Sequence, residues 1–306
     1  MCYDRVMHVI HYIEYLLVAA LWWLYRLMPI RWAYGVGWGI GVGAFSLFRW
    51  QRRARMAIDN VLIAGLAKTR REAYLIARNS VGHFAGHVCE ALRISDLVTH
   101  ENWEKYVTLE MSEEVRNLLM KPTGPLILAT GHLGAWEAGI TAITSARPLF
   151  AVARLMDNPY IQKFLERHNF RGGTTIIPKK HGFTSSAMHR WKQQQAALVI
   201  LFDQHCSNGA QVPFFGHTVG VYTSPARIHL RTHAPILVGG FLRTGPLKYT
   251  MVSVGEPIYY KEGVTLEALT AELISRLEKV IARAPEQYLW LHRRFRNIPV
   301  PQVPER

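Results

Sequence analysis

The strongest constraint on the fold of this 306-residue chain is a regular alternation of short apolar segments with helical stretches between residues 125 and 254. Apolar residues recur at three- and four-residue spacing in the intervening stretches, as they do in helices. Further helical patterns cover 53–97 and the residues from Thr265 onward. The alternation predicts an α/β fold with a mostly parallel central sheet flanked by helices. The predicted strands are 125–130, 149–154, 174–177, 197–202, 235–239 and 248–254.

The N-terminal 50 residues differ from the rest in composition. The run YLLVAALWWLY at 15–25 is apolar and aromatic, and its neighbours extend it over 9–28, about the length that spans a bilayer. A second apolar stretch at 32–48 is loosened by five glycines and followed by arginines, which favours an interfacial or packed helix. We therefore expect 1–50 to form an N-terminal membrane-anchoring helix and an interfacial helix, and 51–306 to form the α/β domain. A buried core helix is the alternative for the first run.

The charge of the chain restricts its partners. The formal net charge is +14, which fits an anionic membrane surface, an acidic protein or a phosphorylated substrate. Nucleic acid is not expected as a partner, because the basic residues are scattered and form neither a tail nor a known binding module. The three cysteines include no CxxC pair, so neither a disulfide framework nor a zinc ribbon is predicted. The sequence predicts no metal and no cofactor.

The candidate catalytic motif is GHLGAWE at 131–137, directly after the first predicted strand. Active groups of such sheets lie beyond the carboxyl ends of the strands. If His132 sits in the turn before the helix, its ring can fold towards Glu137, which would fix the imidazole tautomer and leave the other nitrogen free to accept a proton. No G-x-S-x-G nucleophile accompanies the pair, so direct attack by the hydroxyl of an acceptor is the simpler mechanism.

The spacing of this pair is weak support by itself. With 14 histidines and 22 acidic residues, about one His-x4-acid pair is expected by chance, and the chain contains one. Its position after a strand and between two glycines distinguishes it from a chance match.

Polar residues also follow the neighbouring predicted strands. Arg154, with Asn158 after it, follows the second strand and could bind phosphate, although a solvated surface ion pair is an equal alternative. Asp203 and Gln204 end the fourth strand, where an acid is either a site residue or a cap. Further basic residues, at positions 167, 171, 179 and 180, surround the third strand, and for the two lysines solvated surface charge is favoured.

A competing cluster is formed by His83, His87 and Glu90, which share one helical face and could ligate a metal. The segment lacks the glutamate that follows the first histidine in HExxH proteases. Packed or capping histidines on an amphipathic helix are therefore the favoured interpretation.

Several strings along the chain, taken together, carry a resemblance to a known family. The terminal string and VPFFG are the most distinctive, and the similarity runs nearly end to end. The strings are NVL at 60–62, GHLGAWE at 131–137, Arg154 with Asn158-Pro159, Asp203-Gln204, VPFFG at 212–216, SPAR at 224–227 and PEQYLWLHRRFR at 285–296. The chain resembles the bacterial lipid A biosynthesis (late) acyltransferases, the lauroyl and myristoyl transferase group of the lysophospholipid acyltransferase superfamily.

This resemblance implies an enzyme of the cell inner membrane, single-pass or tightly associated, with its active site on the cytoplasmic side. The donor would be an acyl-thioester, usually acyl carrier protein, and the acceptor a lipid A precursor or related phosphorylated glycolipid. His132 would be the general base and Glu137 its partner. The substrate-binding positions would be Arg154, Asn158, Arg167, Asp203 and Gln204. Leu133 stands where the family usually has an aromatic residue. This departure affects the expected identity of the acceptor more than the expected reaction.

Three alternatives remain open at the level of sequence. Relatives of similar framework acylate other lipids, such as phosphatidylinositol mannosides or lysophospholipids. A membrane-bound lipid hydrolase could use the same histidine to activate water and would release free fatty acid. A non-catalytic lipid-binding protein would not need the His/Glu pair.

Overall fold

A computed structural model describes residues 2–169, 173–178 and 182–305 of the chain. Its strands are β1 (Val107–Glu110), β2 (Leu126–Thr130), β3 (Leu149–Ala153), β4 (Thr174–Pro178), β5 (Ala197–Leu201), β6 (His205–Phe214), β7 (His217–Val221), β8 (Ile236–Gly245) and β9 (Lys248–Ser253). Its α-helices are α1 (Cys2–Arg26), α2 (Ile30–Leu47), α3 (Arg52–Ile63), α4 (Arg70–Leu97), α5 (Glu113–Met120), α6 (Trp136–Thr144), α7 (Pro159–Asn169), α8 (Ser185–Gln193), α9 (Ser224–Thr232) and α10 (Leu266–Arg283). Arg171, Lys179 and Lys180 lie outside the described residues.

Seven strands form one sheet in the order β1-β9-β8-β2-β5-β3-β4. All neighbouring pairs are parallel except β8 and β9, which form an antiparallel hairpin. The prediction of a mostly parallel sheet flanked by helices is thus confirmed. The sequence patterns did not predict β1, nor the separate antiparallel hairpin of β6 and β7, whose strands carry several polar residues among the apolar ones.

The central strand β2 shows why these segments form a parallel sheet. All five of its residues are buried, as expected for a strand covered on both faces. Alternate residues contribute to two different cores: Ile127 and Ala129 to the larger one, which includes the apolar stripe of α10, and Leu126 and Leu128 to the one beside α5 and α6. Because α6 follows β2 in the chain, the motif at 131–137 lies at the carboxyl edge of the sheet.

The region predicted to be helical over 53–97 contains two helices. Helix α3 ends at Ile63, and α4 starts at Arg70 behind a capping box in which the Thr69 hydroxyl and the Glu72 carboxylate bind each other's backbone N–H groups. Helix α4 packs closely on α2. A Cβ atom at Gly37 would lie 2.6 Å from the Ala85 carbonyl oxygen, so glycine is required for this approach.

Candidate active site

His132 lies in the link between β2 and α6. Backbone hydrogen bonds hold this link at His132 and at Gly134. The Gly134 N–H donates to the Gln287 carbonyl at 3.0 Å, and the Leu289 N–H donates to the His132 carbonyl at 2.9 Å. Gly134 has φ +68°, and a Cβ atom there would lie 1.6 Å from the Phe241 carbonyl oxygen. Only glycine fits this position, which fixes the direction in which the chain leaves the histidine.

The ring of His132 is bound by Asp203, which follows β5. Its Nδ1 lies 2.8 Å from Asp203 Oδ1, and its backbone N–H donates to Asp203 Oδ2 at 3.1 Å. Strand β5 is the parallel neighbour of β2, with Leu201 paired to Thr130, so the two carboxyl ends meet at the same edge. An ionised Asp203 accepts the Nδ1 proton and leaves the Nε2 lone pair unprotonated.

The environment of Asp203 keeps it ionised although it is almost completely buried. Burial alone would raise the pKa of this carboxyl group. Hydrogen bonds from the ring and backbone of His132, with the positive charge of Arg294, outweigh burial and leave the pKa below its ordinary value. His132 itself is partly open, since 28% of its side chain is exposed against 3% for Asp203. This geometry is that of a general base with its orienting carboxylate.

The predicted contact between His132 and Glu137 is not formed, and this corrects the sequence-based expectation. Glu137 lies in the first turn of α6, and its Oε2 is 2.7 Å from Nε2 of His87 on α4, at ion-pair distance but without hydrogen-bond alignment. The ring of Trp136 packs edge-on against His87, with centroids 4.6 Å apart. Because the turn at Gly134 directs the first turn of α6 towards α4, Asp203 rather than Glu137 reaches the catalytic ring.

The other predicted substrate-binding residues fall into two groups. Gln204 is part of the site, since its amide nitrogen lies 3.4 Å from His132 Nε2. Arg154 instead forms an exposed ion pair with Asp157, at 2.8 Å, and Arg167 is exposed on α7. Asn158 is buried, caps the start of α7 and donates to Glu14 Oε2 of α1 at 2.9 Å. The structure thus gives these three residues contacts away from the catalytic ring.

The segment after α10 contributes residues to the candidate site that the sequence motifs did not predict. Tyr288, Leu289 and His292 line a narrow crevice together with His132, Asp203 and Gln204. Tyr288 is buried and its hydroxyl bonds to Asp203; burial, with the charge of Asp203, raises the pKa of Tyr288 well above its ordinary value, so it stays a neutral donor. Its signal in the sequence was the string PEQYLWLHRRFR at 285–296, which carried the family resemblance without assigning a role to Tyr288.

Positive charge lies near His205, the residue after Gln204. The guanidinium of Arg294 is buried, lies 4.5 Å from the Phe214 ring and donates to the Gly220 carbonyl at 3.2 Å. Burial, reinforced by the charges of Arg296, Arg294 and Arg293, lowers the pKa of His205. Arg293 and Arg296 are exposed. These charges would favour an anionic group near His205.

The three residues of the candidate metal cluster have separate partners. The Tyr34 hydroxyl lies 2.9 Å from His83 Nδ1, His87 contacts Glu137, and Glu90 binds the Arg243 guanidinium at 3.1 and 3.2 Å. Burial, with the charges of His87 and Arg243, lowers the pKa of His83 to about 3. Within the described residues no group of three metal-binding side chains converges. These groups form a buried polar network between helices and sheet.

An apolar cavity lies on the α5 side of the sheet. Thr130, two residues before His132, is part of its wall, so the cavity lies close to the catalytic edge. The other residues of its wall are Met111, Val115, Leu119, Leu128, Ala129, Val199, Leu237, Gly239, Gly240, Phe241, Met251, Val252 and Ser253.

Comparison with known proteins gives matches at the level of family and of single proteins. The model of the family described as bacterial lipid A biosynthesis acyltransferase matches residues 3–297. The chain is 23% identical over 206 residues to the lipid A biosynthesis palmitoleoyltransferase of Escherichia coli (strain K12) and to the lipid A biosynthesis acyltransferase of Shigella flexneri. These matches cover 64% of this chain and 63% of each relative, so the aligned region spans less than two thirds of their length.

One solved structure is also similar. The 1-acyl-sn-glycerophosphate acyltransferase PlsC from Thermotoga maritima aligns with a TM-score of 0.38 and 13% sequence identity, covering 79% of this chain and 100% of that chain.

Proposed function

Because the chain belongs to the bacterial lipid A biosynthesis acyltransferase family, we propose that it is an O-acyltransferase that moves a fatty acyl chain from an acyl-thioester to a hydroxyl of a lipid. The observation that carries this proposal is the His132–Asp203 pair at the carboxyl edge of the sheet, in which the His132 side chain is 28% exposed while Asp203 is buried. A hydroxyl placed there meets an unprotonated imidazole nitrogen held in one orientation.

In the proposed mechanism His132 Nε2 accepts the proton of the acceptor hydroxyl as its oxygen attacks the thioester carbonyl carbon. The imidazolium that results is stabilised by Asp203, and Asp203 is held in turn by the Tyr288 hydroxyl. The tetrahedral intermediate then collapses, the carbon–sulfur bond breaks, and the imidazolium returns its proton to the departing thiolate. The products are the ester and the free thiol, with no acyl-enzyme intermediate. Glu137 would act indirectly, by holding the start of α6 against His87.

We propose acyl carrier protein as the donor and a lipid A precursor, or a related phosphorylated glycolipid, as the acceptor. The net charge of +14 favours both, since the carrier protein is acidic and the acceptor carries phosphates. Arg293 and Arg296, whose charges act on His205 next to Gln204, support binding of an anionic group better than the exposed Arg154–Asp157 pair does. The apolar cavity behind Thr130 is a candidate location for part of the acyl chain.

We further propose that the protein works at the cytoplasmic side of the inner membrane. The segment Met7–Arg26 of α1 is long and apolar enough to cross a bilayer and lies mostly exposed, which supports association with lipid.

The experiment that tests the function uses the purified full-length chain in detergent with acyl carrier protein loaded with a fatty acid and a lipid A precursor as acceptor. Mass spectrometry should show one acyl increment on the acceptor. His132→Ala should reduce the rate by at least about 10³-fold, while the melting temperature stays near that of the wild type. Free fatty acid as the main product in the presence of acceptor would identify a hydrolase and contradict the proposal.

A further inference from the structure

Helix α1 is in contact with the catalytic body along most of its length. The Asn158 amide donates to the His11 carbonyl and to Glu14 Oε2, at 2.8 and 2.9 Å. Further along, the Trp22 ring lies 5.3 Å from that of Phe164, and Arg26 forms a 2.8 Å ion pair with Asp96 of α4. From His11 to Arg26 these contacts extend over about 22 Å at 1.5 Å per residue. One face of α1 is therefore packed on protein across most of its apolar segment.

The partner of α1 along this face is a charged helix. The exposed residues of α7 include Lys163, Glu166 and Arg167, and the exposed Arg154–Asp157 pair directly precedes the helix. Helix α7 also contacts α4 and thus belongs to the body of the protein. If α1 crossed the bilayer along its normal, α7 would have to enter the hydrocarbon with these charges, an arrangement that membranes disfavour strongly.

The opposite face of α1 is apolar and largely exposed. Of the 25 large apolar side chains exposed in the described residues, 16 lie in the first 50 positions. Those on α1 and just after it are exposed by 42 to 82%. They are Val9, Ile10, Tyr12, Ile13, Leu16, Leu17, Leu21, Trp23, Leu24 and Leu27. Helix α2 continues this surface with the exposed side chains of Trp32, Val36, Ile40 and Leu47. A helix with one face on protein and one apolar face outward has the form of an in-plane membrane helix.

Positive charge accompanies this apolar surface, and the acidic residue Glu14 on α1 is bound by the Asn158 amide. No Asp or Glu occurs between Tyr15 and Ile58, whereas five arginines in that interval are exposed: Arg31, Arg49, Arg52, Arg53 and Arg55. The guanidinium of Arg49 lies 4.0 Å from the ring of Trp50, an aromatic–cation pair suited to the headgroup level. The surface is thus complementary to a leaflet that contains anionic phospholipid.

We propose that α1 does not cross the membrane but lies, with α2, in the plane of one anionic leaflet, so that the N-terminus and the catalytic edge are on the same side. The apolar faces of α1 and α2 occupy the outer acyl region of that leaflet, and the arginines bind its headgroups. This arrangement keeps α7 and its charges at the interface. It does not depend on the proposed acyl transfer, because topology is measured without an activity assay.

The test determines on which side of the membrane the N-terminus lies. Two single-cysteine chains are made in a Cys2→Ser, Cys89→Ala, Cys206→Ala background. One carries its cysteine in a short Gly/Ser extension ahead of Met1, and the other carries Glu262→Cys in an exposed loop of the catalytic domain. Each is expressed in a bacterial host and treated with a membrane-impermeant maleimide in spheroplasts and in inverted inner-membrane vesicles.

We expect both cysteines to react in inverted vesicles and neither to react in intact spheroplasts. Labelling of the N-terminal cysteine in spheroplasts while Glu262→Cys stays unlabelled would show a spanning helix and overturn the proposal. Recovery of the protein in the soluble fraction would overturn it as well.

A second measurement tests which face binds lipid. Purified protein is floated with phosphatidylethanolamine vesicles that contain either no phosphatidylglycerol or about 30% of it, an anionic content that supports electrostatic binding. Leu17→Glu combined with Leu21→Glu should lower the bound fraction at least about tenfold, whereas Val300→Glu, an exposed apolar residue near the C-terminus, should not. Equal binding of the double variant and the wild type would exclude this face as the membrane contact.

Discussion

The ring of His132 and the carboxylate of Asp203 are separated by 71 positions in the chain and by 2.8 Å in the fold. They meet because β2 and β5 are parallel neighbours whose carboxyl ends coincide. Asp203 holds both the ring and the backbone N–H of His132, so one residue sets the tautomer and the position of the proposed catalytic base.

Replacing Asp203 should therefore damage catalysis more than replacing Glu137. Asp203→Asn removes the charge that stabilises the imidazolium, and we expect kcat to fall by about 10²–10⁴-fold with little change in KM. Glu137→Gln, which alters a contact to His87, should reduce kcat by less than about tenfold. Steady-state kinetics on both proteins, with melting curves as a control for folding, measure the difference. A greater loss in Glu137→Gln than in Asp203→Asn would assign the orienting role to Glu137.

The turn at Gly134 should tolerate no side chain. Gly134→Ala places a Cβ atom 1.6 Å from the Phe241 carbonyl oxygen at a residue with φ +68°. We expect the variant to lose at least about 2 kcal/mol of stability and most of its activity. Gly124→Ala is the matched control, because nothing lies within 4 Å of its Cβ position. Thermal unfolding in detergent compares the two variants. Equal melting temperatures would show that the turn is not held as described.

Arg293 and Arg296, whose charges act on His205 next to Gln204, should govern affinity for the anionic substrate. Combined Arg293→Ala and Arg296→Ala substitution should raise the KM for acceptor or carrier protein about tenfold, because two partly solvated charge contacts are lost. Arg154→Ala should have little effect, since Arg154 forms an exposed pair with Asp157. The difference in KM between these variants should shrink at about 0.5 M salt, because screening then shortens the Debye length to a few ångströms. An equal effect of Arg154→Ala would return that arginine to the substrate site.

The buried His83 should make stability depend on pH. Its pKa is lowered to about 3 in the folded protein, chiefly by burial, whereas in the unfolded chain it is near 6.5. Between these values the unfolded state binds the extra proton, so stability falls as the pH drops below 6.5, by up to about 1.4 kcal/mol per pH unit.

A His83→Gln variant cannot titrate at this position. Its melting temperature should therefore change less with pH than that of the wild type between about pH 4 and about pH 7, a range that includes most of the interval between the two pKa values. Its absolute stability is expected to be lower, because the contact with Tyr34 is altered. Parallel curves for variant and wild type would show that His83 does not titrate in this way.

Local sequence patterns predicted six of the seven strands of the central sheet. The buried segment Leu126–Thr130 and the alternation that follows it predicted the strands and the carboxyl edge at which His132, Asp203 and Gln204 lie. These properties depend on apolar runs and on periodicity within about ten residues, and both can be recognised in the sequence alone. Membership in the acyltransferase family was likewise predicted from strings of residues and is confirmed by the match over 3–297.

Only the tertiary structure decided which groups face one another. The spacing of His132 and Glu137 suggested a pair, but strand order is not encoded locally, and it is the adjacency of β2 and β5 that brings Asp203 to the ring. Packing on α4 takes Glu137 to His87, and the chain after α10 returns to place Tyr288 beside Asp203. Such contacts depend on sheet order and on segments distant in sequence, about which a local pattern carries no information.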